Sequence, residues 1–161
     1  MGEDRRVSEP TAEVDDLSGQ QLLRLLPHRY PFLLLDRVVE CIPGRYVRAY
    51  KFVSKSETFL TSGDGSKSLP RFLLLEALAQ AAVVLTFRTL EIEPSGRELM
   101  FYAGIDGCAF RSTVPAGVRL DLRAQIARML PSRGIGVFEA EATVSGQTVA
   151  MARLIAALRL G

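Results

Sequence analysis

From Phe72 to Leu85 every residue is apolar except Glu76 and Gln80. A helix that is hydrophobic on all sides has to be buried on all sides. The run is shorter than the roughly 20 residues needed to cross a bilayer, so it is predicted to be the centre of a domain and not a membrane span. Pro70 is expected as the first helical residue, where its missing N–H would have had no partner anyway. The rest of the chain must supply what covers this helix.

The flanking segments read as strands. Phe32 to Cys41 and Tyr46 to Val53 are two β-rich runs joined by Ile42-Pro43-Gly44-Arg45, a hairpin signal. Further on, the strands expected are Leu99 to Ile105, Val118 to Met129, Gly134 to Val144 and Gln147 to Arg159, with turns at Ser132-Arg133-Gly134 and Ser145-Gly146. Leu120, Leu122, Ala124 and Ile126 alternate with polar or small neighbours, so one face of that strand is buried. A short helix is expected after Ser18, a plausible N-cap, and Pro27 ends it. Residues 54 to 69, rich in Ser, Gly and Lys, read as a loop. The order is helix, two strands, one central helix, then about four strands. An antiparallel sheet wrapped around one long central helix satisfies it, and the class is α+β.

The chain has 161 residues and is 48% hydrophobic, enough for one domain with a real core. Residues 1–17 are polar and mostly acidic and read as a flexible tail; residues 18–161 form the single domain. A net charge of +2 gives no reason to expect a nucleic-acid partner. Two cysteines and one histidine suit neither a disulfide framework nor a metal centre. No metal, cofactor or membrane partner is expected. MGEDRR leads into no apolar stretch, and a cytoplasmic setting is expected.

Glu76 is the odd residue. A carboxylate in an apolar helix must be paired or have its pKa raised. Gln80, four residues on, points to the same side. A raised-pKa Glu76 beside an amide could act as a general acid or hold a reactive water; equally, it could only bond the backbone of a neighbouring strand or subunit. The N–H groups at about Arg71 to Leu73 could polarise a thioester carbonyl. His28, set between prolines in PHRYP, reads as structural more readily than catalytic. The loop Ser62 to Ser68 lacks the Gly-Lys of a phosphate-binding loop.

Four segments carry a resemblance. LPHRYPFLLLDRV (Leu26 to Val38), EALAQAA (Glu76 to Ala82), FYAGIDGCAFR (Phe101 to Arg111) and RGIGVFEAEATVSGQTVA (Arg133 to Ala150) resemble, in order and spacing, motifs of the FabZ-type 3-hydroxyacyl-ACP dehydratases. The resemblance implies a hot-dog fold and a dimer with two sites at the subunit interface. Each family site takes a His from one subunit, which removes the C2 proton of a (3R)-hydroxyacyl thioester. A Glu from the other subunit helps the C3 hydroxyl leave as water. Glu76 matches that Glu, and Gln80 its supporting companion. Substrate contacts are expected from Arg71, Phe72, Leu73 and Ala77 on the helix and from Phe101, Ala103 and Gly104 on the strand. Lys67, Arg111 and Arg119 are candidate contacts for an acidic carrier protein.

The chain departs from the family pattern where the catalytic histidine belongs. Thr61 and Ser62 fall at the Gly-His of the family loop, and Arg71 replaces a glycine after Pro70. A bulky Arg71 is expected to crowd the approach of the thioester carbonyl to the helix start. Whether the chain is an enzyme by itself therefore stays open. It could be a subunit whose Glu76 meets the histidine of a FabZ-like partner in a heterodimer. It could be a stand-alone dehydratase or thioesterase using Glu76, as a homodimer or a trimer of such dimers. It could also bind acyl-ACP or acyl-CoA without chemistry.

Overall fold

The computed structural model describes residues 16–63 and 65–159. In chain order the elements are β1 (Leu17–Ser18), α1 (Gln20–Leu25), β2 (Arg37–Ile42), β3 (Tyr46–Phe52), β4 (Thr61–Gly63), β5 (Ser66–Leu69), α2 (Arg71–Thr89), β6 (Leu99–Phe110), β7 (Val114–Pro115), β8 (Arg119–Leu130), β9 (Ile135–Val144) and β10 (Gln147–Arg159). Seven strands form one antiparallel sheet in the order β1-β2-β3-β8-β9-β10-β6, and β4, β5 and β7 form a small second sheet. This is the expected hot-dog arrangement, α+β, with α2 packed against β8, β3, β9, β10 and β2.

The apolar run behaves as its composition requires. From Ala77 to Phe87 every α2 residue is buried. The sheet returns the contact through Val47, Ala49, Leu120, Leu122, Ala124, Phe138, Ala140, Ala142 and Leu154, alternate residues of their strands. Each fully buried leucine here stabilises the fold by about 1.5–3 kcal/mol. Small residues at Ala77, Ala81 and Ala82, all 0% exposed, let the sheet approach the helix closely. Register shifts between Val38 and Glu40, Ile126 and Arg128, and Ile155 and Ala156 bend the long strands around it.

Several expectations need correction. α2 is longer than the apolar run, 19 residues, and is long and apolar enough to cross a membrane. What argues against that role is its enclosure by the protein's own sheet, not its length. Pro70 sits one place earlier than expected, as the N-cap, and its carbonyl accepts from the Leu73 N–H at 3.0 Å. Ser18 does not cap α1; Gly19 does, with φ +50° and no side-chain bond. The 54–69 segment is not all loop, because β4 and β5 pair within it, and buried Lys51 anchors its start through Glu57 at 2.7 Å. Phe32 to Asp36 is not strand. Leu17 is buried and pairs with Val38, and Asp16 bonds Arg37, so these two residues of the expected tail are held against β2. Residues 1–15 of the expected tail lie outside the described residues.

Candidate active site

Gln80 has no exposed surface, yet its amide is fully used. Its Oε1 accepts from the Leu34 N–H at 2.9 Å. Its Nε2 donates to the Phe32 carbonyl at 2.8 Å and to Glu76 Oε1 at 2.9 Å. The i, i+4 spacing read from the sequence thus produces a side-chain bond along the helix, and the same amide fastens α2 to the segment before β2.

Glu76 Oε1 receives a second donor. His28 Nε2 lies 3.2 Å away, with the two side chains 30% and 38% exposed. His28 reaches this point because the chain is clasped just after α1. The Arg29 guanidinium donates to the carbonyls of Leu23, Leu26 and His28. The other ring nitrogen, Nδ1, is buried with no hydrogen-bond partner among the described residues. Since Nε2 faces a carboxylate, it is the nitrogen that carries hydrogen.

Partial burial pushes the Glu76 pKa up, but hydrogen bonds from His28 and then Gln80, with the nearby His28 charge, outweigh it and hold the carboxyl below its ordinary value. Of the two alternatives open for a carboxylate in an apolar helix, pairing or a raised pKa, the structure takes pairing. The sequence showed the apolar surroundings and hid the second donor. Tyr102, on β6, donates its hydroxyl to the Ala79 carbonyl at 2.5 Å. Burial, with the Glu76 charge second, pushes this phenol far above its ordinary range.

These groups line a cavity of about 570 Å³ between the α1 end, α2 and β6. His28, Glu76 and Gln80 are its polar part; Leu23, Val83, Phe87, Leu99 and Met100 are among its apolar walls. Of the residues expected at the substrate, only Glu76 and Gln80 border it. Leu73 and Ala77 are buried on other sides of α2. Phe101 and Ala103 point outward on the strand whose inward members are Met100 and Tyr102. Gly104 packs near Ile155, where a Cβ would lie 3.5 Å from Cδ1. Arg71 and Phe72 are exposed at the helix start, and the Arg71 guanidinium lies over the Phe110 ring at 5.9 Å. Of the expected carbonyl-binding N–H groups, that of Leu73 is taken by Pro70, leaving those of Arg71 and Phe72 at the open helix end.

Ser62 is exposed on β4, opposite Lys67 on β5. Arg111 is exposed beside Met151. Arg119 bonds Asp121 and covers the Tyr50 ring at 4.6 Å. Among the described residues no group of three or more His, Cys, Asp or Glu could hold a metal ion. His28 and Tyr102 are the site residues that sequence reasoning did not bring to Glu76. The one available signal was that His28 is the only histidine in the chain.

A FabA-like domain model matches residues 26–153. The 3-hydroxyacyl-[acyl-carrier-protein] dehydratase FabZ of Dechloromonas aromatica is 42% identical over 140 residues, covering 86% of this chain and 96% of its own. The protein of the same name from Haemophilus influenzae strain PittEE is 41% identical over 144 residues, covering 89% and 95%. Among solved structures, the dehydratase heterocomplex ApeI:P from Xenorhabdus doucetiae aligns with a TM-score of 0.73 at 24% identity, covering 86% of this chain and 91% of that one. A hypothetical thioesterase from Streptococcus pneumoniae, solved with coenzyme A, aligns with a TM-score of 0.58 at 10% identity, covering 76% and 84%. Both likenesses are of fold.

Proposed function

The chain belongs to the FabA-like family, among its FabZ-type dehydratases, and on that premise we propose that it is a cytoplasmic subunit acting on 3-hydroxyacyl thioesters whose own site lacks the base. One observation carries this reading. The only histidine has its Nε2 on Glu76 and its Nδ1 shut away from solvent, so on this reading it serves the carboxylate and not the substrate. Dehydration needs a base at C2 and help for the departing C3 hydroxyl. Glu76 supplies one role, and the histidine expected at the Ser62 position is absent from the chain.

The missing group would come from a His-bearing FabZ-type subunit across the edge of β6. Among the described residues that edge strand pairs only with β10, and it exposes Leu99, Phe101 and Ile105. Covering the site by partner and substrate would strip water from Glu76 and push its pKa up, the direction a proton donor needs. The acyl group would arrive on acyl-carrier protein or CoA, with Lys67 and Arg111 as contacts for an acidic carrier. Arg119 is a weaker contact, being already paired with Asp121.

The place of the Glu76 carboxylate on the cavity wall favours a second reading, a thioesterase in which Glu76 takes a proton from water attacking the thioester. Assays on a panel of 3-hydroxyacyl-ACP and 3-hydroxyacyl-CoA substrates separate the two. The first reading predicts enoyl product only when a His-bearing subunit is present. Free acid from the protein alone would establish the second and overturn the first.

A further inference from the structure

The loop after α1 and the polar face of α2 are joined by one hydrogen-bonded circuit. Arg29 clasps the backbone around His28, His28 meets Glu76, Glu76 meets Gln80, and Gln80 returns to Phe32 and Leu34. Both side-chain donors to Glu76 reach the same oxygen, Oε1. From this arrangement we infer that His28 is a positioning residue: with Gln80 it pins Oε1 of Glu76 and leaves Oε2 as the oxygen presented to the cavity. The inference rests on the reading of Glu76 as the reacting carboxylate.

Three features favour positioning over simple packing. His28 is not enclosed by apolar groups; it lines the cavity along with Glu76. Its contact is with the one carboxylate on α2, which is only partly exposed and would otherwise be held by Gln80 alone. The backbone of His28 is itself held by Arg29, so the ring is delivered from a rigid base, as a residue that orients a reactive group requires. The charged and titratable groups around Glu76 are His28 and Arg29 before β2, Arg24 on α1, Glu98 before β6 and Tyr102 on β6. Of these, His28 alone bonds the carboxylate, so its removal should be felt at Glu76 directly.

The experiment is an NMR titration of the Glu76 carboxyl carbon in the purified protein, assigned by its loss in Glu76→Gln. In His28→Phe, which fills the ring volume without a donor, the midpoint should rise by about one pH unit. In His28→Gln, which can return an N–H near the Nε2 position, it should stay near the starting value. An unchanged midpoint in His28→Phe overturns the inference. If His28→Phe fails to fold, His28→Leu, which also lacks a donor, takes its place: a raised midpoint supports the inference, and an unchanged one overturns it. Turnover in a mixed dimer supplies the second readout, in which His28→Phe should move the acid limb of the kcat/KM profile upward with the carboxyl and His28→Gln should restore it. The titration needs no turnover. A shifted midpoint with no activity in any mixture would sink the proposed function and leave the positioning role standing.

Discussion

Gln80 makes three hydrogen bonds from a position closed to solvent. Gln80→Leu would remove all three and leave the Leu34 N–H and Phe32 carbonyl without their partner. Leaving buried polar groups unpaired costs about 1–3 kcal/mol each. A loss of about 2–4 kcal/mol in urea unfolding is expected, and a loss below the error of the measurement would contradict the bonding described. Glu76 makes a pH-dependent contribution. Its folded pKa is held below the ordinary value, so the stability it adds is present above the unfolded value and lost as pH falls through the folded one. The difference in unfolding free energy between the protein and Glu76→Gln should therefore shrink from about pH 5 downward. A difference that grows toward acid would mean the pKa is raised after all. The polar pair at 76 and 80 was legible in the sequence because nothing else in the run is polar. His28 was not, because proximity across the fold leaves no local pattern.

At the scale of elements, the legible parts were those with a strong period. α2 announced itself by composition, and the alternation in β8 marked its buried face. The β9–β10 turn was marked by Ser145-Gly146, both at positive φ as a two-residue hairpin turn requires. The misreadings have physical causes. Phe32 to Asp36 has a strand's composition, but Gln80 occupies backbone groups at Phe32 and Leu34 that a neighbouring strand would need. Residues 61–63 are all exposed, so β4 shows no apolar alternation and pairs through its backbone alone. Gly134, between β8 and β9, has φ +63°, and a Cβ there would lie 2.3 Å from the Leu158 carbonyl oxygen. That oxygen belongs to backbone and cannot swing aside. Gly134→Ala should destabilise the protein by about 2–4 kcal/mol, from strain and overpacking together. A thermal midpoint unchanged within error would show that β9 and β10 can shift to make room.

At the scale of the molecule, among the described residues the sheet ends on β6 with an unpaired edge and exposed Leu99, Phe101 and Ile105. An edge of this kind invites pairing with another copy or a relative. If it forms the subunit interface, Phe101→Asp with Ile105→Asp should convert dimer to monomer in analytical ultracentrifugation without changing the far-UV circular dichroism. Dimers that persist would place the interface elsewhere. The proposed function itself is tested most directly in a dimer with only one complete site. A His-bearing FabZ-type subunit is first stripped of its own catalytic carboxylate, so that it is inactive alone, and then paired with this chain. Dehydration of a 3-hydroxyacyl thioester should appear in the isolated heterodimer, be absent from either homodimer, and fall by at least about 10²-fold on Glu76→Ala. Turnover by this chain's homodimer alone on the order of 1–10³ per second, or a heterodimer indifferent to Glu76→Ala, would contradict the account.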